Sequence, residues 1–289
     1  MENTIFYGNG LNYFPKENIT WKSLLDRING KETTVIKDFF TATYEQIFLN
    51  NSKTEQDIKK EIAKLLKEIE SNAIYESLYN SNCQNFITTN YDRAFESVLE
   101  LKGVKISKKS TEKIYSIRRV KELTKENEKK FLWQIHGEVD VPKTIMLGLD
   151  HYCGSIGKID DYIKGTGSYN SELSIEEKFN KIKFLKNSWI ELFFTTNVHI
   201  IGFGLDYSET DIWWILNKRA RLRKENLKDK IKNKIYFYCA ESEKEEDIQK
   251  QKLLESFDVT VEQIDTKRNP HLRESDYLRI IQKYLNHSL

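Results

Sequence analysis

The sequence predicts an α/β fold, a doubly wound and mostly parallel sheet carrying helical insertions. Two observations lead there. Seven short β-branched or aromatic runs alternate with longer helical patterns along the 289 residues, the order expected of βαβ units. Most of these runs are apolar throughout, as strands are when helices cover both faces of a parallel sheet.

Taken in order, the expected strands are Thr4–Tyr7, Asn85–Thr88, Phe131–Ile135, Thr144–Leu147, Val198–Ile201, Lys234–Cys239 and Thr260–Ile264. The helices between them have recognisable starts. Thr54-x-x-Asp57 reads as a capping box, followed by Ile58, Ile62, Leu65, Leu66, Ile69 and Ala73 on one face. Ser174-x-x-Glu177 opens a second helix with Phe179, Ile182, Leu185, Trp189 and Leu192. Ser208-x-x-Asp211 opens a third with Ile212, Ile215 and Leu216 inward. Two intervals break the rhythm. Residues 13–80 are long and helical, an expected insertion over the sheet edge. Residues 150–173 hold Gly154, Gly157, Gly165 and Gly167 and read as a loop or lid. The whole chain, 1–289, is expected to form one domain, with no room for a second.

Composition narrows the function classes. Lys plus Arg number 46 against 44 Asp plus Glu, a net charge of +2 too balanced to mark a nucleic-acid surface, so direct nucleic-acid binding is not expected. Gly and Pro, 12 and 3, exclude collagen-like and Pro/Gly-rich disordered chains. Cys83, Cys153 and Cys239 form no CxxC pair, so neither a disulfide framework nor a zinc ribbon is written here. The start of the chain lacks a signal-peptide pattern, and no stretch approaches the ~20 apolar residues of a membrane span. A cytoplasmic protein is expected.

In an open parallel sheet, ligands bind beyond the carboxyl ends of the strands. Four such ends are polar and unusual. Gly8-Asn9-Gly10-Leu11-Asn12 follows the first strand, and its glycines suit close approach to a pyrophosphate or a plain tight turn. Tyr13 stands where a dinucleotide fingerprint has a third glycine. Thr88-Thr89-Asn90-Tyr91-Asp92 precedes a helix that Asn90 or Asp92 can cap. His136-Gly137 follows the third run, where a histidine is commonly a hydrogen-bonded structural residue. Gly202-Phe203-Gly204 leads through Leu205-Asp206-Tyr207 to Ser208, again readable as a turn and a cap.

In this order on successive strands, GNGLN, TTNYD, HG and IIGFG resemble the sirtuin-like fold, a Rossmann-like arrangement. Sirtuin-like proteins carry a GAG-type loop, a T-x-N-x-D strand end, a catalytic histidine before glycine and a late glycine turn. Protein-deacetylating sirtuins generally add a four-cysteine zinc module, which three scattered cysteines cannot supply. The chain is more similar to the zinc-free sirtuin-like group of bacterial anti-phage systems, whose members hydrolyse NAD.

That resemblance implies roles. Asn90 would position the ribose hydroxyls or water, Asp92 would hold the nicotinamide carboxamide, and His136 would act as general base. Gly8, Asn9, Gly10 and Asn12 would cradle the pyrophosphate, with Thr89 beside them. Gly202, Gly204 and Asp206 would lie near the adenosine ribose. NAD is the expected substrate and no metal is expected. An NAD-dependent deacylase or ADP-ribosyltransferase, or a non-catalytic nucleotide-sensing subunit, are the alternatives.

An ungated NADase would kill its host, so the resemblance also implies a switch. Self-assembly into a homo-oligomer, or a HerA-like ATPase or argonaute partner, would supply it. Two basic stretches, 108–130 and 218–234, read as solvated faces or docking surfaces. Asp150-His151-Tyr152 reads as a loop anchor or an extra catalytic histidine, and His199 as a core residue. His271 and His287 carry no signal.

Overall fold

The computed structural model describes residues 1–14, 19–31, 39–109, 113–267, 269 and 271–285. Its centre is an eight-stranded sheet: β1 (Asn3–Tyr7), β2 (Asn85–Thr88), β3 (Lys105–Lys109), β4 (Val120–Lys125), β5 (Glu128–Gln134), β6 (Asn197–Ile201), β7 (Ile235–Ala240) and β8 (Val259–Ile264). The strand order is β3-β4-β5-β2-β1-β6-β7-β8. From β5 to β8 every pairing is parallel, and β3 and β4 add an antiparallel hairpin at one edge. The α/β, doubly wound reading therefore stands.

Burial explains the apolar strands. On β1, Phe6 belongs to one core while Ile5 and Tyr7 belong to the other. Ile87 and Phe86 on β2, and Ile200 and Ile201 on β6, divide the same way. Helices α8 (Trp189–Thr195) and α9 (Thr210–Glu225) fill the first core with Trp189, Phe193, Ile212 and Ile215. Helices α4 (Ala73–Tyr79), α5 (Ala94–Leu101) and α11 (Glu274–Ile280) fill the second with Tyr75, Phe95 and Tyr277. In β1, β2 and β6 successive residues are thus buried on opposite sides, which removes the polar alternation of a one-sided sheet.

Several expectations need correction. Thr144–Leu147 is not a strand: Pro142–Thr144 forms a 3₁₀ turn and 145–147 join no sheet strand. Its apolarity serves burial, because Ile145 and Leu147 pack into a third core with Leu24, Leu25, Ile58 and Ile62. That core joins α1 (Trp21–Asn29), α2 (Phe40–Leu49) and α3 (Glu55–Leu66) to Tyr91 and Val139 in the loops after β2 and β5. These helices of the 13–80 interval therefore sit over the carboxyl ends of central strands, not over a sheet edge.

The segment 150–173, expected as a loop, is mostly α6 (Leu149–Lys164), with Gly165 ending it in the left-handed conformation. The helix expected from Ser174 is two. Its capping box holds, but α7 (Ile175–Lys181) stops where Ile182 turns left-handed, and Ile182 and Leu185 are exposed. Trp189 and Leu192 belong to α8. Thr54 caps α3 as expected, but Ala73 opens α4. No described helix is long and apolar enough to cross a membrane.

The basic stretches are less solvated than their charge suggests. Arg119, Lys121 and Lys130 are buried, with Lys130 on β5 donating to the carbonyls of Tyr79 and Ser81. Arg219 is wholly buried, bonding Asn233 and, at 3.0 Å, Asp258. Arg219 is thus part of the interior and cannot serve as a docking residue.

Candidate active site

The chain crosses from one half of the sheet to the other between β5 and β6, so β1 and β6 flank the topological switch point. There the Gly8–Asn12 and Gly202–Gly204 loops meet. Gly10 N–H donates to the Gly202 carbonyl at 2.7 Å and Gly8 N–H to Ile201 at 3.2 Å. A Cβ on Gly10 would fall 2.6 Å from that carbonyl oxygen, nearer than packed atoms come. The first glycine pair therefore serves loop-on-loop packing, which sets the backbone that faces the crevice.

Beside these loops lies a cavity of about 850 Å³, within the range of roughly 300–1,000 Å³ for small-molecule sites. Asn9, Gly10, Thr89, Asn90, Asp92, His136, Gly202, Gly204 and Asp206 all line it. Gly8 and Asn12 do not. Gly8 lies behind, against Phe203. Asn12 is buried and donates Nδ2 to Asp92 Oδ2 and Asn9 Oδ1, each at 2.9 Å, while Tyr75 donates to its Oδ1 at 2.5 Å. Asn12 is therefore a strut holding Asp92, not a cavity residue.

Asp92 Oδ1 also accepts from Ala94 N–H at 2.8 Å, so it supports the start of α5 and lines the cavity at once. Burial lifts its pKa to about 6, against the lowering pull of the Ala94 and Asn12 bonds. Asn90 is buried, and its Nδ2 has no hydrogen-bond partner. A buried amide donor without an acceptor costs free energy, and one in a cavity wall is placed to donate to a ligand.

His136 is held by its loop. Gly137 takes φ +111°, and a Cβ there would strike the Thr144 carbonyl, so only glycine fits. Met146 N–H donates to the His136 carbonyl at 2.9 Å. The neighbouring Glu138 is buried against Lys121 at 2.8 Å, and Lys121 also meets Glu96 of α5 at 2.8 Å. This buried triad ties the histidine loop to the helix that follows TTNYD.

The imidazole is sandwiched between acids. Nε2 lies 3.0 Å from Asp211 Oδ2, and Nδ1 lies 3.5 Å from Glu209 Oε2. Burial alone would lower the His136 pKa, but Asp211 first and then Glu209 raise it above the ordinary histidine value. Burial pushes Glu209 up to about 7, opposed by His136 and reinforced by Asp211. Ser155 donates to Asp211 at 2.8 Å and Tyr152 to Glu209 at 3.0 Å. Asp211 was expected to complete a cap with Ser208. Instead Ser208 Oγ accepts from Phe40 N–H, and α9 starts without a side-chain cap.

His136, Glu209 and Asp211 are the one group among the described residues whose ligand atoms lie within 4.8 Å of one another, close enough to hold a metal ion. The two carboxylates also face opposite ring nitrogens, Asp211 at Nε2 and Glu209 at Nδ1. As it stands, the group is a hydrogen-bonded charge cluster.

The remaining histidines separate cleanly. His151 anchors a loop, Nδ1 accepting from Leu147 and Gly148 N–H at 3.0 and 3.2 Å. His199 is internal, stacked on Tyr236, its pKa lowered to about 4 by burial. His271 lines the cavity and stacks on Tyr13, although nothing in its local sequence marks it. His287 lies outside the described residues. Cys83, Cys153 and Cys239 are free.

The sequence motifs thus converge on one crevice, and Glu209, Asp211, Tyr75 and Tyr152 join them. Two acids flanking a helix start were the only trace of Glu209 and Asp211, and that trace reads first as a cap. No curated protein matches the sequence. Residues 84–261, more than half of the 289, match the family model described as SIR2-like domain. The match runs from β2 to β8 and includes Asn90, Asp92, His136 and the Gly202 turn. The chain belongs to the SIR2-like domain family.

Proposed function

We propose that the protein is an NAD glycohydrolase that cleaves the nicotinamide–ribose bond in this crevice. SIR2-like domains use NAD, and the carrying observation is the partnerless buried Asn90 amide beside Asp92 and His136 in one dinucleotide-sized cavity. Cleavage passes through an oxocarbenium-like state, which needs an oriented ribose and a deprotonated nucleophile more than it needs a metal. Asn90 supplies a donor for the ribose hydroxyls or the attacking water. Asp92, part-protonated near neutrality at a pKa of about 6, can donate to or accept from the nicotinamide carboxamide. His136 belongs to the proton-accepting group. Glycine-loop backbone and Asp206 hold the remainder of the dinucleotide.

In the cell this activity would deplete NAD as an anti-phage response, gated by self-assembly or by a partner subunit. The support for that role is the zinc-free sirtuin-like motif set described above. Purified protein incubated with NAD should release nicotinamide and ADP-ribose, and Asn90→Ala should release neither. NAD consumption only when an acylated peptide is present would favour a deacylase.

A further inference from the structure

We propose that Glu209 is a catalytic carboxylate of this site, sharing one proton with His136, and that Asp211 is the residue that positions His136. This rests on the glycohydrolase reading and names the base of that same site. The geometry makes the case. Asp211 Oδ2 at 3.0 Å takes the Nε2 proton of His136. A neutral imidazole then presents the lone pair of Nδ1 to Glu209 Oε2, 3.5 Å away. Two lone pairs facing each other in a buried site repel unless a proton lies between them. His136 is therefore not a free base, and its side chain is only 1% exposed.

Glu209 is the acid of the pair that reaches the substrate. It lines the cavity, as His136 does, whereas Asp211 does not. Tyr152 and His136 both contact Oε2, which leaves Oε1 for a ligand. The charged and titratable groups around the pair are Asp211, Asp206, Tyr152 and Tyr91 near Glu209, and Arg119 near His136. In the step, water oxygen bonds to the ribose C1′ and the C1′–N bond breaks. Its electron pair passes to the nicotinamide ring nitrogen, which leaves neutral. The proton of the water goes to Glu209 and from there to solvent, so NAD and water yield ADP-ribose, nicotinamide and one proton.

The test uses the full chain as wild type, Glu209→Gln and Asp211→Asn. Nicotinamide release should fall about 10²-fold or more in kcat for Glu209→Gln, with KM within about threefold. The wild-type rate should rise with pH near 7, and Asp211→Asn should move that limb to lower pH. Without NAD, the His136 imidazole followed by NMR should titrate at lower pH in both variants, which reads the contact of each carboxylate with the imidazole independently of turnover. Glu209→Gln turning over NAD within threefold of an active wild type, or an unmoved His136 midpoint, overturns the inference alone. A wild type that releases no nicotinamide overturns the glycohydrolase reading and the step with it.

Discussion

The two ends of the crevice are built by different physics. At the Asn90–His136 end, buried polar side chains dominate: Asp92, His136, Glu209 and Asp211 all sit below a tenth exposed, and the first three have raised pKa values. At the glycine end, backbone meets backbone, with Gly10 donating to Gly202 and no room for a side chain between them. Desolvated ionisable groups are expensive to keep and are suited to moving protons. Close-packed backbone is cheap to keep and is suited to recognising a rigid, charged ligand portion. Under the function proposed above, one end would react and the other would hold.

Substitutions should separate the two ends. The largest effect is expected at the reacting end: His136→Ala should lower nicotinamide release by roughly 10²–10⁴-fold, measured as kcat, while the protein still binds NAD in calorimetry. At the holding end, Gly10→Ala should act on affinity, raising KM about tenfold or more with a smaller change in kcat, or lowering Tm if the loops cannot separate. The same split reversed, with Gly10→Ala silent in KM, would break the comparison.

Asp92→Asn sharpens it through pH. The Asp92 pKa rises from 3.8 unfolded to about 6 folded, so its neutral form is favoured by folding. The stability it contributes is complete below pH 3.8 and is lost as pH rises through about 6. Relative to wild type, Asp92→Asn should therefore gain stability between pH 4 and pH 7, by roughly 2–3 kcal/mol at about 1.4 kcal/mol per pKa unit. Urea denaturation at the two pH values reads this, and a pH-independent difference would show that Asp92 is not strained by burial. The smallest effect belongs outside the crevice. Arg221→Glu, at an exposed site whose partner is Glu225 one turn on, should change stability by no more than ~0.5 kcal/mol. Arg219→Glu, two positions earlier but buried with Asn233 and Asp258, should instead prevent folding.

Much of this was legible in the sequence, and for identifiable reasons. Six of the seven expected strands correspond to sheet strands, the central ones because burial on both faces leaves them largely apolar. The Thr144–Leu147 run misled because apolarity reports burial, and here burial is supplied by helices and not by a neighbouring strand. The hairpin of β3 and β4 was missed because its sequences, KISKK and VKELTK, are mostly charged. Only the fold shows that Lys121 is neutralised by Glu96 and Glu138. In the crevice, Asn90, Asp92 and His136 stood out because polar residues directly after apolar strands are conspicuous. Glu209 and Asp211 did not, since their partner His136 is more than seventy residues away and a helix start offers acids an ordinary role.

The most direct measurement is nicotinamide release from NAD by the purified full chain, with Asn90→Ala beside it. Stoichiometric nicotinamide and ADP-ribose from wild type, and neither from the variant, is the predicted result. Equal release by both proteins, or none from wild type in any assembly state, would contradict NAD cleavage in this crevice.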